Sequence, residues 1–330
     1  MARIFLTHIP HMLQNYYGER ALAAMRKLGE VVLNPGDQVL DAKALFEASK
    51  GCDIIVSDRM TPGPAAFFEM GPDCAAFLRV AVDIRNIDVP AASKQGILVT
   101  HATPGFIASV SEQTIGFMVD CARNVSEYVM DYRTGKTPAP RPGTQLKGAT
   151  LGIMGYGDIG QYLAPLGLAL GMTVLISDPF KKIDDPRFKQ VDQTTLLRDS
   201  DFVICLVVAN EKTENLMNEA TFTQMKPTAY FINMSRGNLV DEDALARALD
   251  NKIIAGAAMD VGRAQDQMPS LSIARRSDVI ATPHSAGLTP QAIEHQAFDT
   301  VSQVADLVAG KMPQGAANAD KATRLGRFKK

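Results

Sequence analysis

Tryptophan is absent, and cysteine and histidine are scarce, four and five in 330 residues. With no C-x-x-C pair and no histidines at ligand spacing, no metal site can be read from the chain. Cys52, Cys74, Cys121 and Cys205 are scattered, and Cys205 lies inside the apolar run DFVICLVVA, so the thiols read as small core side chains. An excess of either charge is also missing. Lys and Arg number 34 against 36 Asp and Glu, which removes the electrostatic reason for binding nucleic acid or an anionic membrane. No run approaches the about 18 apolar residues of a membrane-spanning helix, and MARIFLTHIPHML lacks the pattern of a secretory signal. The expectation is a cytoplasmic protein whose ligand is a small molecule. Hydrophobic residues at 46% and charged residues at 21% fit a globular protein long enough for two domains.

Short apolar runs alternate with helical patterns through the first hundred residues: RIFLTH, EVVLNP, DIIVSD, FLRVAV and GILVTH are separated by segments with apolar spacings of three and four. This alternation predicts a parallel sheet. SVSEQTIGFMVDCARNVSEYVMDY, from Ser109 to about Tyr132, reads as one long helix, and GKTPAPRPGTQLKG as a loop or exposed arm. A second series of six strand candidates runs from ATLGIMGYGDIG to DVIATPH, as a doubly wound sheet requires. An amphipathic helix follows His284, and the tail RLGRFKK reads as frayed and solvated.

The glycines of LGIMGYGDIG follow an apolar strand and open a helix, and Asp178 ends the next strand, 18 positions after Gly160. Gly155 permits the tight turn, Gly157 lets a pyrophosphate approach the backbone, and Gly160 lets helix and strand pack. Asp158 and Ile159 add free N–H groups at the helix start. Asp178 would accept from ribose hydroxyls and repel a 2′-phosphate, which favours NAD over NADP even with Lys181 and Lys182 nearby. Hydride chemistry on a hydroxyl or ketone needs an acid/base and a cation for a carboxylate. His284 in ATPHSAG and Arg236 in NMSRGNLVDEDAL, each after a predicted strand, have the right chemistry.

In order and spacing, GYGDIG, NMSRGNLVDEDAL, AAMDV and TPHSAG resemble the motifs of the D-isomer-specific 2-hydroxyacid dehydrogenase family. RNIDVPAASKQGILVTHATPG and SVSEQTIGFMVDCAR extend the likeness over nearly the whole chain. The resemblance implies two α/β domains with the cleft between them: a doubly wound Rossmann cofactor domain over 102–285, and a discontinuous flavodoxin-like substrate domain over 1–101 plus 286–330. Chain crossings near Ala102 and Ser285 would form the hinge. It further implies a homodimer through the cofactor domain and the arm near 130–150. By the same likeness His284 is the acid/base, Arg236 binds the substrate carboxylate, and Asp260 binds the nicotinamide carboxamide. Met234, Ser235, Ala286 and Gly287 line that half of NAD, and Arg59 is a second cation for the substrate.

Two departures stand out. Asp83 and Arg85 occupy the family's glycine-rich turn in VAVDIRNID, which points to a substrate other than a simple short acid. The family glutamate that pairs with the catalytic histidine is replaced by Gln265, with Asp266 next in line. Gln265 would orient the imidazole without adding charge, whereas Asp266 would also stabilise the imidazolium. Gln at this place is shared with formate dehydrogenases, but the Asn that branch uses is missing from PGFIASVSE. Phosphite oxidation and an NAD-sensing, corepressor-like role are the remaining alternatives.

Overall fold

The computed structural model describes residues 1–328. Two compact units divide the chain, Met1–Phe106 with Thr289–Lys330, and Ile107–Leu288. In the first unit, β1 (Ala2–Leu6), β2 (Gly29–Leu33), β3 (Ile54–Ser57), β4 (Ala76–Arg79) and β5 (Leu98–His101) form a parallel sheet in the order β2-β1-β3-β4-β5. This is the flavodoxin-like order. Both faces are covered, so the strands read as continuous apolar runs. Alternation along β1 divides the core: Ile4 and Leu6 pack with Met25, Val304 and Leu307, while Phe5 packs with Phe67, Phe68 and Phe77 on the other face. The open edge of β5 is closed by residues 315–318, where the Asn318 amide accepts from the Val99 N–H at 2.8 Å and donates to the Ile97 carbonyl at 3.0 Å.

The second unit holds β6 (Thr150–Met154), β7 (Thr173–Ser177), β8 (Lys189–Gln190), β9 (Phe202–Cys205), β10 (Tyr230–Asn233), β11 (Gly256–Met259) and β12 (Val279–Ala281). They pair in parallel in the order β12-β11-β10-β9-β6-β7-β8. The six expected strands are present. The seventh, β8, has two exposed residues, too few to show a period. The direction of strand succession reverses between β6 and β9, the place where doubly wound sheets bind ligands.

Three expectations need correction. The long helix is two, Ile107–Arg123 and Val125–Arg133, separated by Asn124 at φ 55°, ψ 36°. Asparagine adopts this left-handed conformation more readily than most residues, so neither Gly nor Pro is required for the break. The tail is docked through Phe328: Arg324 donates to the carbonyls of Pro72 at 2.6 Å and Cys74 at 3.2 Å, and Arg327 to that of Asp73 at 2.6 Å. Lys329 and Lys330 lie outside the described residues. The crossings fall a few residues later than expected, because Thr103 is tied to helix Pro290–Val308 through the Asp299 carboxylate, which accepts its N–H and hydroxyl at 2.6 Å each. All four cysteines are buried and unpaired.

Candidate functional site

The loop after β6 has the shape of a phosphate cradle. Gly155 sits at φ 92°, and a Cβ there would lie 2.8 Å from the Leu206 carbonyl oxygen. A Cβ on Gly160 would come within 2.5 Å of the Gly155 carbonyl oxygen, so helix and strand meet backbone to backbone. Gly157 differs: the space its missing Cβ would enter is open to 4 Å. Helix Asp158–Ala169 begins there without a side-chain cap, which leaves the N–H groups of its first turn, Asp158, Ile159 and Gly160, for an anion.

Asp178, half-buried at the end of β7, accepts from the Tyr156 N–H at 2.8 Å on one oxygen and from Phe180 and Lys181 at 2.8 and 3.0 Å on the other. The carboxylate therefore braces the glycine loop. Lys181 and Lys182 are exposed, and Lys182 pairs with Asp184 at 2.8 Å. The open space at Gly157, the uncapped helix start and an acceptor at Asp178 together fit a dinucleotide.

After β10, the buried Asn233 templates the Ser-Arg-Gly turn, its amide donating to the Arg236 carbonyl at 2.9 Å and accepting from the Ser235 N–H at 3.1 Å. Ser235 Oγ donates to the Val207 carbonyl at 2.5 Å, Met234 is buried, and Arg236 Nη1 donates to the Ser235 carbonyl at 2.7 Å. A Cβ on Gly237 would stand 1.9 Å from the Gly262 carbonyl oxygen, so the arginine turn and the loop after β11 touch through bare backbone.

Asp260, at the end of β11, is 2% exposed. Its Oδ1 accepts from Thr282 Oγ1 at 2.5 Å, the Ser285 N–H at 2.9 Å and Gln113 Nε2 at 3.3 Å, and its Oδ2 from the Ala286 N–H at 3.1 Å. One buried carboxylate thus shapes the whole turn from Thr282 to Ala286 and retains acceptor capacity on Oδ2. The Ala286 N–H, expected to line the cofactor, is turned onto Asp260, and Gly287 beside it is half-buried.

His284 has φ 53°, and its N–H donates to the Asp260 carbonyl at 2.9 Å. Its Nδ1 lies 2.7 Å from the main-chain carbonyl oxygen of Asp266. This corrects the expected Gln265 contact. Asp266 and Gln267 are left-handed, at φ 55° and 57°, which turns the peptide oxygen toward the ring and leaves the Gln265 side chain exposed.

In the first unit, Arg59 lies over the Tyr16 ring, 5.4 Å from its centroid. Arg85 grips Asp83 with Nε at 3.0 Å from both carboxylate oxygens and Nη2 at 2.6 Å from one, so the anion carries a matched cation. Arg79, 3% exposed, ties the two loops together. It donates to the carbonyls of Arg59 at 2.6 Å, Thr61 at 3.2 Å and Asp83 at 3.3 Å, and to that of Asp58. Burial pulls its pKa down to about 10. The sequence signal for Arg79 was a lone arginine in the apolar run FLRVAV. Asn233 and Thr282 left no such signal, since polar residues at strand ends are common, and Gln113 is one of several polar residues within helix Ile107–Arg123.

Comparison with known proteins places these features. Residues 115–286 match the family model described as "D-isomer specific 2-hydroxyacid dehydrogenase, NAD binding domain". The chain is 33% identical over 270 residues to D-3-phosphoglycerate dehydrogenase of Synechocystis sp., covering 81% of this chain and 49% of that protein. It thus spans about half the length of that relative. It is 31% identical over 271 residues to hydroxypyruvate reductase of Thermotoga maritima, covering 80% of this chain and 88% of that one. The solved D-lactate dehydrogenase with NAD+ from Lactobacillus jensenii superposes with a TM-score of 0.81 at 23% identity, covering 96% of this chain and 99% of that one, a likeness of fold. With the glycine loop, the Asp178 acceptor and the Asp260-shaped histidine turn inside the matched span, the chain belongs to the D-isomer-specific 2-hydroxyacid dehydrogenase family and carries its NAD-binding domain.

Proposed function

We propose that this protein interconverts a 2-keto acid and the corresponding D-2-hydroxy acid, with His284 as acid/base and Arg236 as the carboxylate-binding cation. The observation that carries the reading is the contact between His284 Nδ1 and the Asp266 carbonyl oxygen, 2.7 Å. A carbonyl oxygen only accepts, so Nδ1 keeps its proton and Nε2 becomes the nitrogen that gains and loses one. In reduction, protonated Nε2 delivers its proton to the ketone oxygen as that oxygen acquires negative charge. In oxidation, neutral Nε2 removes the hydroxyl proton. Bound NAD(H) would supply or accept the hydride. Asp260 Oδ2, which accepts one backbone bond, has the capacity to take an amide N–H of the nicotinamide carboxamide. The backbone of Gly155, Gly157, Asp158, Ile159 and Gly160 would hold the pyrophosphate, and Asp178 the adenosine ribose.

Substrate choice in the first unit is assigned to the loops after β3 and β4, where Arg59 and the Asp83–Arg85 pair sit at the carboxyl ends of parallel strands. Unpaired buried cysteines accord with a reducing compartment, and the apolar exposed residues Val125, Val129 and Met130 accord with a homodimer.

The test is NADH consumption against a panel of 2-keto acids, including glyoxylate, hydroxypyruvate, and branched and aromatic acids. At least one is expected to turn over, with His284→Ala reducing kcat by about 100-fold or more. Turnover unchanged in His284→Ala, or none with any member of the panel, would overturn the assignment.

A further inference from the structure

Arg263 follows Gly262 in the loop after β11, and no catalytic role attaches to it in the mechanism above. Its side chain makes more contacts with the second unit than any surface arginine needs. Nε donates to the Val240 carbonyl at 2.9 Å, and Nη2 donates to Glu214 Oε1 at 2.9 Å, the Asn238 carbonyl at 3.1 Å and Asn215 Oδ1. The main-chain N–H of Arg263 donates to Glu242 Oε1 at 3.1 Å. The side chain is 37% exposed, so the ion pair with Glu214 alone would contribute little. What the guanidinium does is gather two separate segments, 214–215 and 238–240, around the root of one short loop.

The loop then closes on itself. Gly262 N–H donates to the Gln267 carbonyl at 2.7 Å, Ala264 N–H to the Met268 carbonyl at 2.9 Å, and Gln267 N–H to the Ala264 carbonyl at 3.0 Å. Between these bonds the chain passes through two successive left-handed non-glycine residues, Asp266 at φ 55° and Gln267 at φ 57°. Such residues persist only where their surroundings over-determine them. The outcome of this geometry is the placement of one atom, the Asp266 carbonyl oxygen, at 2.7 Å from His284 Nδ1.

We infer that Arg263 is a positioning residue for the acid/base: by anchoring the loop 262–268 it holds the Asp266 carbonyl on Nδ1 and so fixes the tautomer of His284. The family's carboxylate partner is replaced here by a neutral main-chain acceptor, and the side chains of Gln265 and Asp266 do not set the tautomer. The inference rests on the proposed role of His284 only for its kinetic consequence; the tautomer itself is measurable without any substrate.

The experiment is 15N NMR of the imidazole nitrogens in the full chain, read at a pH where His284 is neutral and assigned by difference with His284→Ala. Wild type, Gln265→Ala and Asp266→Asn are expected to show protonated Nδ1 and bare Nε2. Arg263→Ala is expected to show the two tautomers exchanging, with kcat lowered about tenfold and KM for the keto acid changed less than about twofold. Should Arg263→Ala not fold, Arg263→Lys serves: it keeps a cation for Glu214 but cannot reach the Val240 and Asn238 carbonyls together, and the same exchange is expected. A fixed Nδ1 tautomer in the folded Arg263 variant, or equal loss of the tautomer in Asp266→Asn or Gln265→Ala, would overturn the inference. A fixed tautomer in wild type that is lost in the Arg263 variant, in a protein inactive on every keto acid, would sustain this inference and refute the functional one.

Discussion

His8, at the carboxyl end of β1, is 2% exposed, and its ring lies 4.9 Å from that of Tyr17. Neither ring nitrogen has a hydrogen-bond partner among the described residues. Burial pulls its pKa from 6.5 to about 4, the nearby Asp58 opposing the fall and Arg79 adding to it. The folded protein thus leaves this imidazole neutral over a range where the unfolded chain binds a proton. Stability from His8 is complete above pH 6.5 and drains away as the pH falls toward 4. The whole difference corresponds to about 3 kcal/mol, and the part lost between pH 7 and pH 5 to about 2 kcal/mol. For a domain of this size that is a drop in Tm of about 4–8 °C. Asp58 does not confuse the reading. Although burial pushes its carboxyl up, hydrogen bonds from Thr7, Thr61 and the Met60 N–H, with attraction to His8, hold it below the usual carboxylate range. It therefore stays charged throughout that interval. The measurement is thermal unfolding of wild type and His8→Leu at pH 7 and pH 5. The variant's absolute stability is immaterial; its fall between the two pH values should be smaller by the amount given. If wild type and variant lose the same Tm, the buried imidazole is not the source and the reasoning fails.

Three further expectations concern the second unit. Asp178→Ser should raise KM for NADH by about tenfold or more and shrink the preference over NADPH, because it removes both the fixed charge and the acceptor for the Tyr156, Phe180 and Lys181 N–H groups; steady-state kinetics with both cofactors checks it, and an unchanged ratio counts against the ribose assignment. Gly237→Ala should destabilise by about 1–3 kcal/mol because its Cβ would meet the Gly262 carbonyl oxygen at 1.9 Å. Gly116→Ala, exposed in mid-helix with nothing within 4 Å, should instead stabilise by about 0.5–1 kcal/mol. Urea unfolding of the pair checks both signs.

Much of this was legible in the letters. Strands buried on both faces write themselves as runs such as DIIVSD and DFVICLVV, and the spacing of Gly155, Gly157, Gly160 and Asp178 describes a strand, a turn and a helix start in residue types alone. What escaped has physical causes. The partner of His284 is a peptide oxygen, and every residue has one, so no spacing rule could prefer Asp266 over its neighbours. The break at Asn124 uses a residue that also occurs within helices. Asp260 reads as a single-purpose residue and Arg79 as no site residue at all because a sequence shows one letter per position, whereas each side chain satisfies several backbone groups at once.

The closure of the β5 edge bears on the order in which the chain acquires structure during synthesis. Ile107–Leu288 is contiguous, and all strands of its sheet emerge in one stretch. The sheet that begins at Ala2 must wait: Ala297, Val304 and Leu307 belong to its core, and Asn318 supplies bonds that its last strand needs. An early-made sheet with one face only partly covered, by Ala21, Leu22 and Met25, and with an open edge would thus persist while about 200 residues are added, for roughly 10–40 s at ordinary elongation rates. The nascent chain should be most vulnerable to aggregation and most dependent on chaperones in that interval, and a substitution in helix Pro290–Val308 should harm yield more than it harms the activity of the molecules that do fold.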